Sequence, residues 1–277
     1  MDPSPQRAAF RRLHESGCFV IPNPWDIGTA MMLKHLGFKA LATTSSGFSF
    51  SRGLPDTDWA VPRDMALAHI AEIVRATDLP VNADFESGYA RDPEGVAESC
   101  RLCAATGVAG LSIEDHGDTA EEVIYPFALA VDRIRAAAEA LKGTGVLLTA
   151  RCEAHLFGLP GAQATVLKRL VAYAEAGADV LYAPGLRTAE QIREVVAAVA
   201  PKPVNLLISA PVGLSVADAA ALGVRRISVG SALARAAWGG FLQAARQIAG
   251  EGSFDALATA EPFGALNSFF RTHHPKA

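Results

Sequence analysis

The 277-residue chain has few cysteines, little charge and no long apolar run. Its four cysteines do not make a disulfide framework, which points to a reducing compartment. Cys100 and Cys103 form one CxxC, but it falls inside the helical pattern Glu94–Ala105 and no second pair exists to complete a zinc site. Both are read as packing residues. Charged residues make up 19% of the chain and the formal net charge is -4, so there is no basic surplus to hold nucleic acid or an anionic membrane. No apolar run approaches the length of a membrane span. The stretch Met1 to Gly17 carries Arg7, Arg11 and Arg12 and lacks the apolar segment of a signal peptide, so a cytoplasmic location is expected. Also absent is a GxGxxG turn after an early strand, which disfavours a dinucleotide-binding open sheet.

What the chain does have is apolar bulk, at 50% of residues, enough for a large core. One local pattern recurs four times: a helix stopped by glycine, two or three residues, then a short apolar strand. The copies centre on Gly37, Gly107, Gly177 and Gly223. Repeated αβ junctions mean alternating units around a parallel sheet. Eight strand candidates follow, near 18–21, 40–45, 80–85, 110–114, 147–151, 180–183, 203–208 and 226–229. Helix starts are readable between them. Asp92-Pro93-Glu94 offers a cap with proline in the first turn, Thr188 to Gln191 has capping-box spacing, and Ser215 precedes Val216 in the same way. With no low-complexity linker, the prediction is one α/β domain over 1–277, a (β/α)₈ barrel with a helical C-terminal extension from about 250 to 277.

The stretch Val81-Asn82-Ala83-Asp84-Phe85-Glu86-Ser87-Gly88 carries the first chemical signal. Strand alternation would aim Asn82, Asp84 and Glu86 one way and Ala83 and Phe85 the other. Two carboxylates aimed into a dry core are costly unless a cation sits between them, and hard oxygen donors suit Mg²⁺. On spacing alone a solvated strand end is the better reading, because acidic pairs are common. The other strand ends shift the balance. In a barrel the C-terminal ends of the strands meet at one mouth. There the fourth strand brings Glu114-Asp115-His116, the fifth Arg151-Cys152-Glu153 and the seventh Asn205. Separate strands have no structural reason to collect charge at one end. Gly230-Ser231, which a phosphate-binding barrel would use, reads as a helix cap.

Several segments, taken together and in order, resemble the isocitrate lyase/phosphoenolpyruvate mutase superfamily. They are Thr44-Ser45-Ser46-Gly47-Phe48-Ser49, Gly53-Leu54-Pro55-Asp56-Thr57-Asp58, Asp84-Phe85-Glu86-Ser87-Gly88-Tyr89, Ser112-Ile113-Glu114-Asp115, Thr149-Ala150-Arg151-Cys152-Glu153-Ala154 and Pro203-Val204-Asn205. The similarity runs from about Phe19 to about Arg235. It implies a Mg²⁺-dependent enzyme (Mn²⁺ as an alternative) that makes or breaks C–C or P–C bonds in small 2-oxo or 2-hydroxy acids. By the same resemblance Ser45, Ser46, Gly47 and Phe48 bind the oxo-acid end, with Asn205 also at the substrate. Asp84, Glu86, Glu114 and Asp58 lie at the metal, directly or through water, and Arg151 grips a carboxylate or phosphonate. The resemblance also implies a homo-oligomer, a dimer or tetramer, with the last helix, Ser253–Phe270, exchanged between barrels.

Two departures shape the expected reaction. Lyases of the superfamily carry a Lys-Lys-Cys-Gly-His segment whose cysteine protonates the departing carbanion. Here Glu114 is followed by Asp115-His116-Gly117-Asp118-Thr119-Ala120-Glu121-Glu122, with no thiol, and the mutase's Lys and Asn are absent as well. The second acid of the third strand is Glu86 where the superfamily usually has Asp. Releasing CO₂ needs no acid on the departing fragment, so decarboxylation of an oxaloacetate-like acid is the expected activity. His116 is the one nearby side chain suited to acid–base work at neutral pH, though it reads equally as a solvated loop residue. Alternatives are a phosphonopyruvate-type hydrolase or mutase, and a barrel that binds a 2-oxo acid without turning it over.

Overall fold

A computed structural model of the chain describes residues 2–57, 59–117 and 122–273. Asp58, the segment 118–121 and His274 lie outside the described residues. The chain divides into two compact units, Met1–Ser231 and Ala232–Ala277.

The first unit opens with α1 (Ser4–Leu13), β1 (Phe19–Ile21), α2 (Ile27–His35) and β2 (Leu41–Ala42). A short α3 (Ser45–Ser51) and α4 (Arg63–Ala76) precede β3 (Val81–Asp84) and α5 (Pro93–Ala105). Then come β4 (Gly110–Glu114), α6 (Phe127–Leu141), β5 (Leu147–Arg151) and α7 (Ala162–Glu175). The last turns of the barrel are β6 (Val180–Tyr182), α8 (Ala189–Val199), β7 (Val204–Leu207), α9 (Val216–Ala221) and β8 (Arg226–Ser228). All strand pairs are parallel, in the order β1-β8-β7-β6-β5-β4-β3-β2. The seam between β1 and β2 is closed by a bond from Ala42 N–H to the Pro22 carbonyl and by Asn23, whose Nδ2 donates to the Thr43 carbonyl. Asn23 Oδ1 also accepts from the N–H groups of Val229 and Gly230, so one amide ties three strand ends. The fold is the (β/α)₈ barrel the repeated junctions predict.

The repeats end as their glycines require. Gly37, Gly107, Gly177 and Gly223 all have left-handed φ, from +89° to +110°, which lets the chain leave a helix and enter a strand. Asp92, Thr188 and Ser215 each cap their helix, the last two as full capping boxes. Alternation along the strands sets the chemistry of the two faces. Leu111, Ile113, Leu148, Ala150, Leu206 and Ile227 belong to one buried cluster with Val96, Cys100, Cys103, Ile134 and Leu170 of the surrounding helices. Their neighbours Ser112, Thr149, Arg151, Asn205, Arg226 and Ser228 instead line a polar interior. The two cysteines of the CxxC are thus packing residues.

The helix α1 does not announce itself in the sequence. Its Phe10 is fully buried against Ile21, Ala40, Ala42, Ala109 and Leu147 at the N-terminal end of the strands. Arg7 donates to the carbonyls of Ala104, Val108 and Thr144, capping the chain where α5 and α6 end. The second unit holds α10 (Ala232–Glu251), a 3₁₀ turn (Asp255–Thr259) and α11 (Phe263–His273). No described helix is long and apolar enough to cross a membrane.

Candidate active site

A cleft opens inside the barrel, lined by residues that include Asn23, Thr43, Asp84, Arg151, Tyr182 and Asn205. At its rim β3 ends on Asp84, held in a fixed pose by β2 and α3. The Asp84 N–H donates to Thr43 Oγ1 (2.9 Å), and Asp84 Oδ2 accepts from both the N–H and the hydroxyl of Ser45 (3.0 Å each). α3 begins there because Thr44 caps it, accepting from the Gly47 N–H. Phe48 N–H donates to the Thr44 carbonyl, so the N–H groups of Gly47 and Phe48 are already taken by the cap. Ser46 Oγ lies 3.2 Å from Thr44 Oγ1. The Phe48 ring stacks on His69 at 3.8 Å.

Glu86 reaches the site by a different route from the one alternation predicts. The strand stops at Asp84, and Glu86 sits in the left-handed region with φ +47°. Trp59 and Tyr89 are left-handed too, and the strain gathers on one carboxylate. Trp59 N–H donates to Glu86 Oε2 (3.2 Å) and Tyr89 OH to Oε1 (2.9 Å). Burial pushes the Glu86 carboxyl up to about 7, the Asp84 charge adding to the effect.

Arg151, at the end of β5, is the hub. Its Nη1 lies 3.2 Å from Glu114 Oε2 and 3.8 Å from Asp84 Oδ1. Its other edge forms a two-pronged pair with Glu153, and its face lies over the Tyr182 ring at 5.1 Å. Burial pushes the Glu114 carboxyl well up while the Arg151 guanidinium pulls it down. Behind Glu153 stands a network that sequence reasoning missed. Buried Asp115 accepts from the Glu153 N–H (2.8 Å), from Arg169 (2.9 Å) and from Tyr173 OH (2.6 Å). Asp115 is thereby a structural anchor that fixes the turn after β5. The mid-helix Arg169 and Tyr173, spaced i, i+4 on a buried face of α7, were the available signal.

Of the remaining predicted residues, Asn205 is buried in the barrel, its Nδ2 donating to Ser228 Oγ (2.9 Å) and its Oδ1 accepting from Arg226 Nε (2.7 Å). His116 bridges to Ile124 across the loop base and stacks on Phe157 at 4.6 Å, and it is not among the residues that line the cleft. The structure therefore brings together Ser45, Asp84, Glu114, Arg151 and Asn205, sets Glu86 beside them, and keeps His116 at the loop. Asp58 lies outside the described residues.

No group of three or more His, Cys, Asp or Glu among the described residues is drawn together as a metal cage. The reason is visible in the partners: Asp84 is turned to Ser45, Glu86 to Trp59 and Tyr89, Glu114 to Arg151. That pattern still fits Mg²⁺, which takes one or two carboxylates and keeps several waters. Asp84, Glu86 and Glu114 are the carboxylates that could hold such an ion, directly or through water. All three are hard oxygen donors; Asp84 and Glu114 lie beside Arg151, and Glu86 is held apart from it by Trp59 and Tyr89.

Known proteins resemble the chain in sequence and in fold. The family described as phosphoenolpyruvate phosphomutase matches residues 10–249. A Burkholderia cenocepacia crystal structure, named as a candidate lyase/mutase, superposes with a TM-score of 0.92 at 47% identity over 97% of this chain and 96% of that one. A 2-methylisocitrate lyase of Halalkalibacterium halodurans is 30% identical over 67% of this chain and 62% of its own length. An oxaloacetate decarboxylase of Paraburkholderia xenovorans is 28% identical over 84% of this chain and 77% of its own. With its barrel and its cluster of strand-end acids, the chain belongs to the isocitrate lyase/phosphoenolpyruvate mutase superfamily, in the phosphoenolpyruvate phosphomutase family.

Proposed function

We propose that the chain is a Mg²⁺-dependent carbon–carbon lyase that decarboxylates a small 2-oxo dicarboxylic acid such as oxaloacetate. The observation that carries this reading is the pairing of an Asp84–Glu114–Arg151 cluster with a following loop that has no thiol. Asp84, with Glu86 and Glu114 through water, would hold the ion. It would polarise the 2-oxo group and stabilise charge that develops there. Ser45 keeps Asp84 in one orientation, so no rearrangement is needed as the substrate arrives. Arg151 presents a planar fork whose Nη1 edge faces the cleft, where a carboxylate would compete with Glu114 for it. Loss of CO₂ leaves an electron pair on C3, and the proton that C3 needs comes from solvent at the open mouth. Cleavage that releases a larger carbanion would need a placed acid, worth roughly two to four orders of magnitude in rate. The 28% identical oxaloacetate decarboxylase supports the choice of substrate class.

The test is turnover of oxaloacetate with added Mg²⁺ and its loss with chelator. Asp84→Ala should lower the rate by at least about a hundredfold, the scale on which single electrostatic groups act, with circular dichroism unchanged. Cleavage of isocitrate or 2-methylisocitrate as fast as oxaloacetate decarboxylation would sink the reading and make His116 the first replacement acid to mutate. Binding of 2-oxo acids without turnover of oxaloacetate or phosphonopyruvate would instead favour a metabolite-binding barrel. Turnover of phosphonopyruvate alone would favour P–C chemistry, which the matched family description keeps in view.

A further inference from the structure

Two guanidinium groups line the cleft, and they are in opposite electrostatic situations. Arg151 is paired with Glu114 and Glu153. Arg226, on β8 and 3% exposed, meets only neutral acceptors: Asn205 Oδ1 at 2.7 Å, Thr149 Oγ1 at 3.1 Å and His14 Nε2 at 3.5 Å. His14 is neutral on geometric grounds. Its Nδ1 lies 2.8 Å from the Phe10 carbonyl, which can only accept, so Nδ1 carries the proton and Nε2 turns its lone pair to Arg226. Burial next to that guanidinium holds the imidazole down to about 3. Among the described residues no carboxylate pairs with Arg226, and three acceptors leave part of its five N–H donors unused. A buried cation is costly unless an anion or a full set of acceptors meets it. A second incomplete group faces the same space: Asn82 Oδ1 is buried and has no donor.

We infer that the inner end of the barrel cleft is a subsite for a carboxylate or equivalent oxyanion, with Arg226 as the group that recognises it. The anion supplies the counter-charge that the protein withholds, and a hydroxyl on the ligand, or a water carried with it, satisfies Asn82. Asn205 is the positioning residue. It holds the guanidinium by Oδ1 and is itself fixed by Ser228. This deepens the proposed function by assigning the substrate class: an acid with a second anionic group pointing inward, away from the metal-binding rim.

The test is calorimetric titration of malonate into the Mg²⁺-loaded protein. Malonate has no 2-oxo group, so the readout does not depend on turnover. Wild type should bind it, and Arg226→Met should bind about ten- to a hundredfold more weakly, as expected for loss of a charge-assisted contact. Arg226→Lys should retain most of the affinity. Asn205→Asp places a carboxylate against the guanidinium, so it should raise Tm while losing malonate binding. Mg²⁺ affinity should be unchanged in all three. If Arg226→Met does not fold, Arg226→Lys and Asn205→Asp still decide the matter. The inference is overturned if wild type binds no malonate, or if a folded Arg226→Met or Asn205→Asp keeps an affinity within about twofold of wild type, a difference too small for a lost charged contact. Loss of oxaloacetate turnover with these affinities intact would count against the decarboxylase reading alone.

Discussion

At the scale of single residues, the interior of this barrel is held by groups whose protonation the fold has chosen. His14 and His69 are both buried, and burial pulls them from 6.5 down to about 3 and about 4. A histidine with a depressed folded pKa binds its proton more readily when unfolded. Its contribution is therefore present above about pH 6.5 and is lost as pH falls toward the folded value. The share of stability that these two histidines supply should fall between pH 7 and pH 4 by an amount on the order of a few kcal/mol, since each pKa unit is worth about 1.4 kcal/mol. Glu86, whose carboxyl is pushed up to about 7, acts in the opposite sense over that range. Urea unfolding at several pH values measures this. His14→Gln keeps an acceptor near Arg226 but cannot titrate, so its stability should fall less steeply over that range. An unchanged slope would mean that His14 is not buried as a neutral ring.

At the scale of elements, the four αβ junctions share one backbone solution but differ in what surrounds them. Gly37 has φ +89° and nothing within 4 Å of an added Cβ. Gly177 has φ +110°, and an added Cβ would stand 2.8 Å from Ala138 Cβ on α6. Gly37→Ala should cost about 1–2 kcal/mol, the left-handed penalty alone. Gly177→Ala should cost that plus an overpacking penalty of about 1–3 kcal/mol, because α6 must shift to make room. Denaturant midpoints of the two variants check the order. Equal losses would show that the contact with α6 relaxes freely.

At the scale of the whole molecule, the second unit displays a great deal of apolar surface. Phe263 is 84% exposed and Phe254 64%, with Trp238, Phe241, Leu257 and Leu266 also open. A set of large apolar side chains on one short unit is more than a solitary protein usually shows to water. Light scattering should give the mass of a dimer or tetramer at micromolar concentration. Phe254→Asp combined with Phe263→Asp should shift that mass toward a single chain. A wild-type protein that runs as a monomer would remove the oligomer expectation.

The sequence by itself determined the barrel, because the information is local. Glycine stops at Gly37, Gly107, Gly177 and Gly223, caps at Asp92, Thr188 and Ser215, and short apolar strands are decided by neighbours in the chain. It also identified the acids that β3 and β4 present, since a strand end fixes where a side chain emerges. Tertiary structure decided the rest. α1 could not be read because its purpose, burying Phe10 under the barrel, depends on Ala109 and Leu147 far along the chain. Strand alternation placed Asp84 but not Glu86, which has a left-handed backbone and whose carboxylate is held by Trp59 and Tyr89 from outside the strand. The roles of Asp115 and Arg226 were equally hidden. An arginine within the strand Arg226-Ile227-Ser228 was visible as an oddity. Whether it met a carboxylate or stood without one depended on which side chains eight strands brought to the same depth, and charge balance in a buried space is set by three-dimensional neighbours alone.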